Sequence, residues 1–257
     1  MAQEAPSLGD LLERIEEVPT STMGTVGRLA SSPLFVCICG GYAAYNALVQ
    51  GLGYWGPTFV QAVLGVPASQ SGYGCALVTV VGSVAGIMAG SALLDHLITR
   101  HPEQTAGRML ACAAQLAFVL ALAAWPLLVI VVWVPETAVS FFGVLLAADF
   151  LLFALTTPVN MVIMASVPED LRGTALGASV MINHALGDVP AQAIVGAIAD
   201  TVAHAGGGAP RFGRGMRVAV TALDMYYGLS VLLFFAVWRL SARRAQVAFV
   251  RETEPGC

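Results

Sequence analysis

The chain has 257 residues, of which 57% are hydrophobic and only 11% charged, against roughly a quarter charged in ordinary soluble domains. Residues 29–94 contain no Asp, Glu, Lys, Arg or His, and a soluble domain of this size cannot hide so much apolar chain, because too much of any small protein is surface. The net charge is −4 and all twelve basic residues are arginine, so no basic patch of a nucleic-acid binder is present; the composition describes an integral membrane protein with room for about six spans of about 20 residues each.

Residues 1–32 read as a linker. Ser7-Leu8-Gly9-Asp10 forms a capping box, and Leu8, Leu11, Leu12 and Ile15 share one face of a short amphipathic helix that Pro19 ends. Six apolar spans follow, over about 33–64, 71–97, 107–134, 137–167, 173–202 and 218–240, and residues 241–257 form a tail. Pro57, Pro126, Pro158 and Pro190 are expected kinks, tolerable where neighbouring helices satisfy the freed carbonyls. Six spans place both termini on one side. Arg14, Arg28, Arg100, Arg108, Arg172, Arg239, Arg243, Arg244 and Arg251 fall on that side, and only Arg211, Arg214 and Arg217 on the other. The excess predicts cytoplasmic termini and a multi-pass chain, with the Gly206-Gly207-Gly208 loop on the far side.

The first span carries Tyr42, Asn46 and Gln50 four residues apart, a polar stripe that lines either a cavity or a helix seam. In the second span Gly82, Gly86 and Gly90 repeat a small-xxx-small spacing, whose direct meaning is close helix packing. Asp95 and Arg100 beyond it form either a charge latch between helices or solvated ends. The third span is apolar apart from Gln115 and is expected to face lipid.

Asp149 lies near mid-depth of the fourth span, where an ionisable group is costly and faces a bundle interior or water. It is the strongest single candidate, for coupling or headgroup binding, against a packing role; Asn160 is its weaker companion. In the fifth span Asn183, His184 and Asp188 precede Pro190. His184 and Asp188 are i, i+4 and can pair, so they can relay protons, bind a charged headgroup or neutralise each other. Asp224 in the sixth span is expected to reach the interface. Neither His-Glu-x-x-His nor Cys-x-x-Cys occurs, and Gly-x-Ser-x-Gly is missing too; no metal, cofactor or enzymatic activity is expected. The cysteines inside apolar runs read as small hydrophobes.

Pro168-Glu-Asp-Leu-Arg172-Gly173-Thr-Ala resembles the short cytoplasmic loop motif of major facilitator superfamily transporters. Asp149-Phe-Leu-Leu-Phe, Pro158-Val-Asn-Met, His184-Ala-Leu-Gly187-Asp188, Gly196-Ala-Ile-Ala-Asp200 and Gly53-Tyr-Trp55-Gly-Pro57-Thr-Phe together resemble the second half of the spinster-like branch. Val189-Pro190-Ala191 stands where that branch has Ser-Pro, and Asp149 where it more often has Glu. The resemblance implies an all-α membrane fold, a six-transmembrane-helix bundle corresponding to the C-terminal half of a major facilitator fold. It also implies secondary transport of a lysolipid, sphingolipid or other amphiphilic or organic solute by alternating access. The first, second, fourth and fifth helices would line the cavity. Expected partners are the bilayer, that solute, and either a missing N-terminal six-helix half or a second copy of the chain. The alternative is a non-transporting membrane subunit, a relic that scaffolds or regulates a full-length relative.

Overall fold

Apolar runs this long satisfy their backbone inside a bilayer only as helices or closed barrels, and every element here is helical. The computed structural model describes residues 22–100, 105–205 and 212–253; the expected helix near residues 7–19 and the glycine loop at 206–208 lie outside the described residues. Helix α1 spans Thr22–Ala30 and α2 spans Pro33–Leu64. Ser32 caps α2 by accepting the Phe35 N–H at 3.4 Å, and Pro33 supplies a pre-set first turn. Gly65 ends it with φ 68, the left-handed conformation that glycine adopts without steric cost. Helices α3 (Ala68–Thr99) and α4 (Ala106–Trp133) follow, then α5 (Ala138–Ala154) behind a Thr137/Ser140 capping box, and α6 (Thr156–Ala165).

A short 3₁₀ turn, Glu169–Leu171, leads into α7 (Arg172–Ile182). A π turn, Asn183–Asp188, joins α7 to α8 (Val189–His204), and α9 covers Phe212–Thr253. Among the described residues five helices are long and apolar enough to cross a membrane: α2, α3, α4, the α5–α6 pair taken as Ala138–Ala165, and α9 over Phe212–Gln246. The remaining helical stretch is the unbroken series α7, π turn and α8. The fold is therefore an all-α multi-pass membrane bundle.

Proline chemistry explains the two interruptions. Pro158 has no N–H for the Ala154 carbonyl, and the helix breaks at Leu155 between α5 and α6. Pro190 likewise cannot bond Leu186; the chain widens into the π turn, where Val189 N–H reaches back five residues to the His184 carbonyl. Pro57 and Pro126 lie inside α2 and α4, which continue through them.

Helix α2 is the hub, packed on α9, α3, α8 and the π turn, while α4 packs on α9 and α5. Hydroxyls tie these contacts to backbone carbonyls: Tyr45 to Leu152 at 3.1 Å, Tyr227 to Ala121 at 3.1 Å and Ser230 to Gly41 at 2.6 Å. The glycine stripe of α3 lies against α5. A Cβ at Gly82 would come within 2.8 Å of the Asp149 Cβ, and one at Gly90 would strike the Ala154 backbone. The opposite face of α3, with Tyr73, Leu77, Val80, Val84 and Met88, is exposed.

One sequence reading is corrected by these contacts. Asp224 does not reach an interface: it is 1% exposed, and neither carboxylate oxygen has a hydrogen-bond partner. Asp95 and Arg100 are exposed helix-end charges with no ion pair to each other or to another described residue. The inter-element charge contact at that end is instead Arg28 Nη1 to Asp170 Oδ2 at 3.1 Å, beside a Ser32 hydroxyl donating to the Ser166 carbonyl at 3.2 Å. Arg172 pairs locally with Glu169 at 3.2 Å.

Candidate functional site: a polar cavity beside a π turn

Four elements converge on one polar cavity of about 310 Å³. Helix α2 contributes Tyr42, Asn46 and Gln50, whose spacing of four keeps them on one face. Asn160 comes from α6 and Ser179 from α7; the π turn adds Asn183, His184 and Asp188. The sequence candidates from three separate spans thus meet in one place, and the stripe on α2 faces a cavity.

The π turn owes its position to Gly187. A Cβ there would fall 2.7 Å from the Ala43 carbonyl oxygen, so only glycine lets this turn rest on the α2 backbone. Close contact at Gly187 turns its neighbours Asn183, His184 and Asp188 along the wall of α2. His184 Nδ1 and Asp188 Oδ2 lie 2.5 Å apart. The imidazole is 61% exposed and the carboxylate 14%, so the ring sits at the mouth of the cavity and the carboxylate at its back. Asp188 Oδ1 and the buried Asn183 Oδ1 have no hydrogen-bond partner. Buried polar atoms are nearly always satisfied, so these two are exceptions.

Asp149 does not line this cavity. It is buried in the α3–α5 seam at 6% exposure, and the Thr79 hydroxyl donates to its Oδ2 at 3.1 Å. Two tyrosines stand between it and the cavity. Tyr42, on the wall, stacks on Tyr45 with ring centroids 5.4 Å apart, and Tyr45 reaches the α5 carbonyl of Leu152, three residues beyond Asp149. The candidates therefore divide into a cavity group and a buried acid one tyrosine layer behind it. Thr79, Ser179 and Tyr45 were missed in the sequence. Thr79 had a signal, since it extends the Gly82, Gly86, Gly90 face by one turn.

A second cavity, about 300 Å³ and almost wholly apolar, opens on the other side of the π turn between Ala47, Leu186, Pro190, Ala191, Leu223 and Tyr226. The Tyr226 hydroxyl lies 3.5 Å from the Leu186 carbonyl, to which Pro190 cannot donate. Among the described residues no group of His, Cys, Asp or Glu has the arrangement of a metal site.

Comparison with known proteins places this arrangement. Residues 4–191 match the family profile described as Major Facilitator Superfamily. A probable sphingolipid transporter, spinster homolog 3 of Arabidopsis thaliana, is 26% identical over 174 residues, covering 68% of this chain and 32% of that protein. Protein spinster of Drosophila melanogaster is 26% identical over 182 residues, 65% of this chain and 28% of its own length. The chain thus spans about a third of the length of the curated relatives it matches. In fold it resembles the crystal structure of a bacterial homolog to the human lysosomal transporter Spinster, in an inward-facing and unoccupied conformation. The TM-score is 0.73 at 16% identity, over 94% of this chain and 53% of that one.

Proposed function

This chain belongs to the Major Facilitator Superfamily, and we propose on that premise that it acts as the C-terminal six-helix half of a secondary active transporter. Its solute is an amphiphile, a lysolipid, a sphingolipid or another organic molecule with a polar head, moved by alternating access. The observation that carries the reading is the polar cavity between α2, α6, α7 and the π turn. Transporters of this kind place their solute site near the bilayer midplane where helices are interrupted, and this cavity lies at an interrupted helix, lined by amides, a hydroxyl and a His–Asp pair. Its similarity to probable sphingolipid transporters of Arabidopsis thaliana supports the lipid class of solute.

Alternating access needs two bundles rocking about the site. The partner bundle is a first six-helix half, or a second copy of this chain. Both termini are assigned to the cytoplasmic side. The nine-to-three arginine bias supports that assignment, as does the Arg28–Asp170 contact, which gathers the segment before α2 and the α6–α7 loop at one end of the bundle.

The test is reconstitution. The chain is co-expressed with the first half of a spinster-like protein, purified, and placed in liposomes with a fluorescent lysolipid outside. Uptake above that of either half alone is the expected result. Equal signals from the pair and from empty liposomes would remove the transporter reading and favour a non-transporting subunit.

A further inference from the structure

We propose that one anionic phospholipid of the bilayer docks on the outer edge of the α4–α9 pair, its phosphate held by Arg239 and Arg243. The site is separate from the polar cavity and independent of what that cavity carries. Helices α4 and α9 run antiparallel in contact. The Trp133 indole donates to the Thr221 hydroxyl at one end, and at the other an added Cβ on Gly107 would fall 3.4 Å from the Ala245 Cα. Arg239 and Arg243, both exposed, lie four residues apart and share one face of α9. They stand just before the Gly107–Ala245 contact, near where the apolar span of α9 closes at Gln246. That end of the bundle is the one assigned to the cytoplasm, the side on which membranes carry their anionic lipid.

Two observations point to a bound phosphate. The first is charge without a partner. Other arginines at this end have acids: Arg28 pairs with Asp170 and Arg172 with Glu169. Among the described residues no carboxylate pairs with Arg239 or Arg243. The second is where the Arg239 charge is held. Its guanidinium lies 6.0 Å over the ring of Phe235, one turn earlier on α9. It therefore leans back toward the apolar span, whereas a solvated arginine at a helix end snorkels outward to water. Beneath it is an aromatic layer of the kind found at headgroup depth: Phe235 meets Phe118 of α4 with ring centroids 5.3 Å apart, and Phe118 stacks on Trp238 at 5.6 Å. The ring takes one face of the guanidinium, and the N–H donors at its edge remain for an oxyanion in the bidentate geometry that arginine gives phosphate. Leu232, 66% exposed, continues the same edge deeper into the span and offers an apolar track to an acyl chain. A zwitterionic lipid brings its own cation to the two arginines; an anionic one brings none.

The experiment titrates the 257-residue chain in detergent with dioleoylphosphatidylglycerol or dioleoylphosphatidylcholine and counts bound lipid by native mass spectrometry. The first phosphatidylglycerol is expected to bind at least about tenfold tighter than phosphatidylcholine, as two arginines beside an anionic headgroup supply. Arg239→Gln/Arg243→Gln removes the preference. Arg214→Gln/Arg217→Gln, the same change of charge at the opposite end of α9, leaves it in place. Excess glycerol 3-phosphate does not displace the lipid, because the acyl chain is part of what binds. A second readout locates the site without touching either arginine: one equivalent of phosphatidylglycerol with brominated chains quenches the tryptophan fluorescence of the unmodified chain, and Trp238→Phe loses that quenching. Equal affinity for the two lipids overturns the proposal, as does a preference that survives Arg239→Gln/Arg243→Gln. Equal losses from the two arginine pairs assign the effect to net charge and overturn the site. Displacement by glycerol 3-phosphate overturns the lipid as occupant, and unchanged quenching in Trp238→Phe overturns the location.

Discussion

Thr79 and Asp149 face each other across the α3–α5 seam, with the threonine hydroxyl donating to the carboxylate at 3.1 Å. Among the described residues this is the one hydrogen bond to a carboxylate that is almost wholly enclosed. Removing the donor while keeping the shape, Thr79→Val, leaves a buried carboxylate oxygen unsatisfied, at a cost of about 1–3 kcal/mol. Thermal unfolding of the detergent-solubilised chain should show a clear drop in midpoint for Thr79→Val. Thr79→Ser, which keeps the hydroxyl, should recover most of it. Equal midpoints for Val and Ser would show that the hydrogen bond contributes nothing.

The same seam predicts a graded sensitivity along the glycine stripe. At Gly82 an added Cβ comes within 2.8 Å of the Asp149 Cβ, whereas at Gly90 it overlaps the Ala154 carbonyl far more deeply, and both atoms are fixed by the backbone of α5. Overpacking a closed contact costs about 1–3 kcal/mol. Gly90→Ala is therefore expected to lower the unfolding midpoint more than Gly82→Ala, and both more than Gly143→Ala, where nothing lies within 4 Å. Size-exclusion profiles after heating report the order directly. A Gly90→Ala chain as heat-resistant as Gly143→Ala would contradict the contact.

Asp224 is the reverse case. Both of its oxygens are buried without a partner, on a helix packed against α2, α4 and α8. A polar group in that state costs stability that an apolar residue does not. Asp224→Leu is expected to raise the midpoint, with a gain of about 1–3 kcal/mol set by the unsatisfied group less whatever the bulkier side chain strains. A fall in midpoint would mean that Asp224 has a partner in the assembled protein, and its identity would then be sought by crosslinking from that position.

The fold class was legible because apolar length and charge-free runs have few physical solutions in a membrane. The glycines of α3 told which face packs, since a small-residue stripe has one simple use. They did not tell which helix packs there, because α5 and α3 are far apart in sequence and nothing local encodes their meeting. Around the π turn the spacing of His184 and Asp188 and the presence of Pro190 were readable. The π turn was not, because it depends on Gly187 lying against the Ala43 carbonyl of α2, a tertiary contact. Depth could be read for Asp149 and Asp224 alike, but the direction each faces is set by the neighbours. Asp149 accordingly lies behind Tyr42 and Tyr45 rather than in the cavity, and Asp224 inside a helix seam rather than at the interface.

The position of Asp149 allows its two roles to be separated. Asp149→Asn keeps an oxygen that can accept from Thr79 and nearly the same volume against Gly82, so the seam should hold and the unfolding midpoint should change little. What it removes is the capacity for charge, one tyrosine layer behind the cavity. In liposomes containing the chain and a complementary first half, uptake by Asp149→Asn is expected to fall to background, while Thr79→Val, which loses stability but keeps the carboxyl, retains uptake at temperatures where it stays folded. A packing role predicts the opposite ranking, with Asn active and Val impaired in proportion to its midpoint. Measuring both variants for midpoint and for uptake distinguishes the two roles, because each assigns a different variant to the inactive class.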